Sequence, residues 1–300
     1  GLGQLNWLFQ QLFAQSRDDW LNLLDFGVVL GSSGAAAANA TIINAVADMA
    51  RSSGKGLYCP PAAGMLHYGA ALDLTEIRNI EIRTPMQANP ASPGATIECG
   101  GFANSGAVCN FQFAEVTDGT SEFDPPPARP ILRFIGVKNS EIRFGTCNYA
   151  QIYADMDRGP NYGSSAWNRI FADGSVGLVE FTDSGTATGG GSWVNANRLY
   201  SARLVRVAVI GVGYKHNDNR FYEPNLEGTI AEITLANCHS NVFHGVRAES
   251  FPDGGLTMDA DTYCNKIELC WSNSGSPQDD FRIPFTYTDA GKGNLVTTEA

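Results

Sequence analysis

Charge is scarce in this chain: Asp, Glu, Lys and Arg make up 17% of its 300 residues, below the roughly 25% usual for globular proteins. Cations are scarcer still, with 20 Lys and Arg against 31 Asp and Glu and a net charge of −11. Binding a phosphate backbone requires clustered Lys and Arg, so the balance argues against a general nucleic-acid partner. No apolar run reaches the roughly 18 residues of a membrane-crossing helix, and no membrane span is expected. The seven cysteines, at 59, 99, 109, 147, 238, 264 and 270, form no Cys-x-x-Cys, and no histidine stands at zinc-finger spacing. Free, mostly buried thiols are expected, as suits folding in a reducing cytoplasm. His239 and His244 have no third ligand in view, so neither a metal nor another cofactor is expected. Ser52-Ser53-Gly54-Lys55-Gly56 lacks the spacing and the hydroxyl of a phosphate loop, and no Gly-x-Ser-x-Gly elbow occurs. The chain opens at Gly1 without a basic-then-apolar leader and reads as a piece of a longer polypeptide.

What is abundant is glycine, 33 residues of it, together with Asn, Ser and Thr. That composition fits a β-rich, loop-rich molecule. Helical spacing is confined to the start. Leu5, Leu8, Leu12 and Phe13, extended by Trp20, Leu21, Leu23 and Leu24, predict a neck or attachment helix over residues 1–24. A second, short amphipathic helix is expected from about Ala38 to Arg51, with Ile42, Ile43, Val46 and Met49 as its apolar side and Gly54 beyond its stop. After it come short apolar pieces between turn residues, including Ile77 to Ile82, Ile131 to Val137 and Val176 to Phe181, which read as strands. Met86 to Gly94, Asp118 to Pro130 and Gly185 to Val194 read as protruding loops.

The strand pieces carry a weak repeat. Asn begins a unit at 148, 168, 197, 219, 241 and 265, with spacings of 20, 29, 22, 22 and 24 residues. Two positions after the last five asparagines stand Ile170, Leu199, Phe221, Phe243 and Ile267, all large and apolar. One position after stand Arg169, Arg198, Arg220, Val242 and Lys266; three after stand Phe171, Tyr200, Tyr222, His244 and Glu268. Period-two strands would then turn Asn and the apolar residue inward and the others outward. A period near 22 residues is what a parallel β-helix needs, one coil per repeat, with the inward asparagines bonded coil to coil.

Asp25-Phe26-Gly27-Val28, the short helix, and then Gly54-Lys55-Gly56-Leu57-Tyr58-Cys59-Pro60-Pro61 resemble the opening of the pectate-lyase-like β-helix superfamily, which includes many phage tailspikes. Asn219-Arg220-Phe221-Tyr222 and Asn241-Val242-Phe243-His244-Gly245-Val246-Arg247-Ala248-Glu249 are similar to tailspike coils. The resemblance implies an all-β, right-handed single-stranded parallel β-helix over residues 25–300, capped by the short helix. It also implies a homotrimeric virion protein, assembled in the host cytoplasm, that joins other tail proteins through its N-terminus. Its partner would be bacterial surface polysaccharide, capsule or lipopolysaccharide, bound and cleaved; the alternative is a non-enzymatic receptor-binding or structural spike. The acidic and histidine motifs of the polygalacturonases are not present in order, so their residues do not carry over.

Glycoside hydrolysis needs two carboxylates about 5 Å apart for retention or roughly 6.5–9.5 Å for inversion, and neighbouring strands lie about 4.8 Å apart. Glu227 and Glu249, each eight positions after a repeat asparagine, are therefore the candidate catalytic pair. Arg247, Trp193, Tyr222, His244 and Asp253 are the candidate substrate-binding residues. Asp173, Glu180 and Asp183 form a reserve acidic group. Surface ion pairing of the glutamates with Arg203, Arg206 or Arg247 is the competing explanation.

Overall fold

An Asn followed two residues later by a large apolar side chain can hide both only if strands stack in strict register, because a one-residue slip would turn them outward. The computed structural model describes residues 19–89, 92, 94–102, 108–121, 127–185, 191–227, 232–249, 255–273 and 286–298. It is an all-β molecule with one α-helix among those residues, and every strand pairing described is parallel. The pairings fall into three long lines. The first runs from Trp20–Asn22 through Gly56–Cys59, Asn79–Ile82 and Asn110–Thr117, then through the strands opening at Glu141, Arg169, Arg198, Arg220, Val242, Lys266 and Leu295. A second line starts at Leu66–Tyr68 and includes Asn225–Glu227. The third starts at Leu72–Thr75 and passes through Leu132–Ile135, Glu232–Ala236 and Gly255–Met258.

The register is the one the repeat demands. Ile170 faces Leu199, Leu199 faces Phe221, Phe221 faces Phe243 and Phe243 faces Ile267. All five are at most 1% exposed, each side chain contributing about 1.5–3 kcal/mol of burial. The Phe221 and Phe243 rings stack at 4.1 Å. Beside this column runs the amide ladder. The backbone N–H and Nδ2 of Asn168 both donate to Oδ1 of Asn197, at 3.2 and 2.9 Å. Asn197 repeats this toward Asn219 (3.2 and 3.0 Å), and Asn219 toward Asn241 (3.1 and 3.0 Å). Asn241 does so toward Asn265 (2.9 and 3.0 Å), and Asn265 toward Asn294 (3.0 and 3.1 Å). Asn294 thus adds a member beyond those expected. Asn148 is not one: it binds the 118–120 loop through the Asp118 N–H and the Thr120 carbonyl. Its expected place is taken by Ser140, whose N–H donates to Asn168 Oδ1 at 3.1 Å.

The residue before every ladder member has left-handed backbone: Asn139 (φ 53°), Trp167 (58°), Ala196 (54°), Asp218 (55°), Ser240 (56°), Cys264 (55°) and Gly293 (65°). Each such residue turns the chain from the preceding short strand into the first line. A non-glycine side chain in that conformation costs roughly 1–2 kcal/mol, and the fully bonded asparagine that follows holds it there.

The helix runs from Ala36 to Ser53 and ends at Gly54 (φ 69°), whose N–H donates to the Ala50 carbonyl. It packs against the strands Gly56–Cys59, Leu66–Tyr68 and Leu72–Thr75 and covers the start of the core. Its buried stripe is Ala36, Asn39, Ala40, Ile43, Val46, Ala47 and Ala50. Met49, expected on the apolar side, is 45% exposed, since it lies beside rather than on the stripe of buried residues. At Gly69 a Cβ would meet the Ala37 backbone nitrogen at 3.2 Å. The expected neck helix is corrected at its end: Trp20–Asn22 is a strand paired with Gly56–Cys59, followed by a 3-10 turn at Leu23–Phe26. The stack therefore begins at Trp20, not Asp25, and residues 1–18 of the proposed neck lie outside the described residues. Met86–Ala88 and Trp193–Asn195, expected in loops, are short strands. No helix among the described residues is long and apolar enough to cross a membrane.

Asn219→Ala strands the buried N–H of Asn197 and the Val194 carbonyl. At roughly 1–3 kcal/mol per stranded group, urea denaturation should show a loss of about 2–4 kcal/mol; a loss below about 1 kcal/mol would refute the ladder's role. Ala196→Gly removes left-handed strain at a smaller cost in chain flexibility, about 0.5–1 kcal/mol. Its melting temperature should rise, and a fall would show that the turn is not strained.

Candidate functional site

Outward positions of a repeat also stack into columns, so chemistry spread over 100 residues of sequence can meet on one surface. The first such column is Phe171, Tyr200, Tyr222 and His244. Their rings lie parallel at 5.1, 4.8 and 5.3 Å. Arg143 lies over Phe171 at 4.4 Å, and His244 Nδ1 contacts Glu268 at 2.9 Å. Tyr222 and His244 were expected to offer their faces to substrate. Tyr222 is instead stacked between Tyr200 and His244, so both its faces are taken, and His244 gives one face to Tyr222. A sugar ring cannot be inserted into gaps near 5 Å.

Glu227 and Glu249 are register partners, as are Asn225 and Arg247, so the expected adjacency is present in the backbone. The Glu227 side chain is engaged by Arg203, Nε to Oε2 at 2.6 Å, both about one-third exposed. Glu249 ends the strand Val242–Glu249, and its side chain lies outside the described residues, as does all of Asp253. Arg247 is exposed. Of the reserve acids, Asp173 pairs with Arg143 at 2.6 Å.

Glu180 belongs to a network on the third line that the sequence did not reveal. Arg133 Nη1 donates to Glu98 (2.9 Å) and Arg133 Nε to Gln151 (2.6 Å); Gln151 in turn donates to Glu180 (2.6 Å). Tyr149 also donates to Glu180, and Arg158 donates to Glu98 at 2.6 Å. Burial, and then the Glu180 carboxylate, push the Tyr149 hydroxyl far above its usual range. Glu98 and Glu180 stand three strands apart, about 14 Å of stack, too far for glycoside hydrolysis. The network is satisfied within itself and acts as a clamp.

Asp183, the last reserve acid, is also a clamp. It contacts His216 Nε2 at 3.1 Å with both side chains fully buried, and it accepts N–H groups from Gly185, Val212 and Gly213 at 2.7, 3.0 and 2.9 Å. His216 Nδ1 accepts the Val194 N–H, which assigns the ring proton to Nε2. Burial pushes the Asp183 carboxyl up, but His216 and the Gly213 and Gly185 N–H groups outweigh it and hold the carboxyl below its usual range.

The surface left open is an edge formed by a fourth, short line of strands. Ser164–Ala166 pairs with Trp193–Asn195, and His216–Asn217 pairs with Cys238–His239. Isolated pairings add Lys138, Tyr263 and Lys292. Val194 is buried, so its neighbours Trp193 and Asn195 face outward. Trp193 is 47% exposed and Trp167 60%. The Trp193 indole lies so close over Gly191 that a Cβ there would sit 2.3 Å from the ring. Asn217 N–H donates to Asn195 Oδ1 at 3.1 Å, and Asn217 Nδ2 approaches His239 Nε2 at 3.3 Å. His239 is held below its ordinary range by burial, opposed by Asp218 and assisted by Lys215. Its Nδ1–H faces Ser240 Oγ at 3.1 Å, and its ring stacks on Tyr263 at 4.7 Å. From Ala166 to Lys292 the edge crosses five strand spacings, about 24 Å. It combines exposed indoles, amides and cations on an extended ridge. Apart from this edge, a groove of about 200 Å³ lies between the 88–96 and 127–131 segments, with Asp118 and Arg129 as its charged lining.

The six cysteines whose side chains are described are free, and all but Cys264 are buried. Burial pushes Cys147 and Cys238 up to about 12, which makes them inert packing groups. Comparison with known proteins gives no matching family model, no matching curated protein and no matching solved structure.

A carboxyl held low in the fold stabilises fully above its unfolded value, near pH 3.9, and that contribution is lost as pH falls through the folded value. The urea midpoint should therefore drop on acidification below about pH 4. Asp183→Asn should lower the midpoint at pH 7 and flatten the acid limb; an unchanged midpoint at pH 7 would show that the clamp contributes nothing.

Proposed function

We propose that this chain is a tailspike-type protein, a right-handed parallel β-helix that engages bacterial surface polysaccharide, capsule or lipopolysaccharide, along the Trp167–Lys292 edge. The observation that carries the reading is the pair of exposed tryptophans, Trp167 and Trp193, at 60% and 47% exposure, in a molecule that buries or stacks most of its other described aromatics. Indole faces bind sugar rings through their apolar face, while flanking amides such as Asn195 and Asn217 suit hydroxyl recognition. Right-handed winding follows from the strong preference of parallel crossovers for that hand. The Asp25-Phe26-Gly27 opening and the Asn-led coils support membership of the tailspike-like group. By the same resemblance the protein is a homotrimer on a phage virion, assembled in the host cytoplasm and joined to other tail proteins through its N-terminus.

Cleavage is a second reading, favoured by the in-register placement of Glu227 and Glu249. Arg203 holds the Glu227 carboxylate, and residues in register on neighbouring strands lie about 4.8 Å apart along the stack, close to the carboxyl spacing that retaining hydrolysis requires.

Purified chain would be presented to capsule and lipopolysaccharide from a panel of bacteria, with binding and product formation followed together. Trp193→Ala is expected to weaken binding about tenfold, the equivalent of about 1.4 kcal/mol; wild-type affinity in both Trp167→Ala and Trp193→Ala would reject the edge. New reducing ends without uronate absorbance, abolished by Glu227→Gln and by Glu249→Gln, would establish hydrolysis. Unsaturated-uronate absorbance would exclude the glutamate mechanism, and binding without products would leave a receptor-binding spike.

A further inference from the structure

The tryptophan edge ends in a basin of about 500 Å³, lined by Lys215, Asp261, Tyr263, Cys264, Lys292 and Gly293. Cations elsewhere in the described surface are commonly spent on carboxylates: Arg51, Arg133, Arg143, Arg158 and Arg203 each have one within 4.0 Å. Lys215 and Lys292 have none among the described residues. Lys215 Nζ instead lies 4.8 Å from the centroid of the Tyr263 ring and donates to the Asp261 carbonyl at 3.1 Å. That arrangement holds an ammonium group beside an aromatic surface without neutralising it. His239 stacks on Tyr263 with an interplanar angle of 7° and fixes the ring. Gly293 contributes no side chain, which keeps the basin open next to Cys264.

Two ammonium groups and the Asp261 carboxylate leave the lining with one net positive charge, in a chain whose overall charge is −11. A single excess cation matches a monoanion better than a dianionic phosphate, and the edge of the Tyr263 ring in the lining adds an apolar contact for a sugar unit. We infer that the basin is a subsite for a carboxylate-bearing sugar, a uronate unit of the recognised polysaccharide. The uronate carboxylate would lie between Lys215 and Lys292, and the Asp261 carboxylate would accept a sugar hydroxyl. This rests on the reading of the edge as a glycan surface and narrows its ligand to an acidic polysaccharide.

Cys264, exposed in the basin, reports on occupancy. The full chain would be treated with iodoacetate or iodoacetamide, and modification of Cys264 would be quantified by peptide mass spectrometry. The local positive charge should raise the iodoacetate-to-iodoacetamide ratio above that of free cysteine by about threefold or more. Lys215→Met with Lys292→Met should abolish that excess. Lys292→Gln alone, on an exposed side chain, gives a milder variant should the double one fold poorly. Sodium glucuronate should slow the reaction several-fold and glucose should not. Equal protection by glucose would overturn the acidic preference, and equal protection by inorganic phosphate would overturn the sugar. No protection by glucuronate, with Trp193-dependent polysaccharide binding intact, would remove the subsite and leave the edge standing. Glucuronate protection with polysaccharide binding indifferent to Trp167 and Trp193 would do the reverse.

Discussion

The two-centre hydrogen bond between one asparagine and the next is what the rest of the molecule rests on. Each Oδ1 from Asn197 to Asn294 takes both the backbone and the side-chain N–H of the member before it. A slip of one residue would strand several buried donors at once, at roughly 1–3 kcal/mol each. Register is thereby set by polar chemistry, and apolar packing follows from it. The stacked phenylalanines Phe221 and Phe243 would otherwise tolerate small displacements, since apolar contact is non-directional. The left-handed corner before each ladder member is tolerated for the same reason: the amide that follows has only one place to bond.

Columns are an unavoidable product of such register, and they divide into two kinds. Where like or complementary residues recur on successive strands, side chains satisfy one another. The rings of Phe171, Tyr200, Tyr222 and His244 stack on each other, and complementary groups do likewise, Glu98, Arg133, Gln151 and Glu180 bonding one to the next. Such columns stiffen the stack and offer little to a ligand. Where neighbours differ, groups are left over. Trp193 stands over a glycine, and Lys215 and Lys292 flank a tyrosine rather than an acid. The surface groups left for other contacts are therefore those at positions where the repeat breaks.

The same distinction explains what could be read in the sequence. The ladder from Asn168 to Asn265 was legible because one residue type recurs with an apolar partner two positions on, and the outer ring column came with it. Asn148 was misassigned because an asparagine in a loop looks the same in sequence as one in a ladder, while Ser140 filled the true place with a different side chain. The corner residues were illegible: Trp, Ala, Asp, Ser and Cys share no chemistry, only a backbone angle. Trp20–Asn22 continued an apolar helical pattern and yet became a strand, its backbone pairing with Gly56–Cys59 at the start of the first line. At the candidate site, the adjacency of Glu227 and Glu249 was visible from spacing. The engagement of Arg203 was only one of several pairings that spacing allowed, and the edge from Trp167 to Lys292 depends on isolated pairings with no regular period.

The ladder also has a direction. Every amide oxygen points toward the preceding member and every amide nitrogen toward the following one, until Asn294 turns its Nδ2 to Asp289 and to the Thr262 carbonyl. The side-chain dipoles therefore add along the axis, and a carboxylate sits at the positive end. The side-chain N–H groups of Asn168, Asn197, Asn219 and Asn241 also reach a carbonyl of the turn before, but the inward backbone N–H of each is bonded by the asparagine of the turn synthesised after it. During translation the backbone N–H of the newest asparagine waits for the next member, 22 residues on for Asn197 and Asn219, so ordering of this stack trails the ribosome by one repeat.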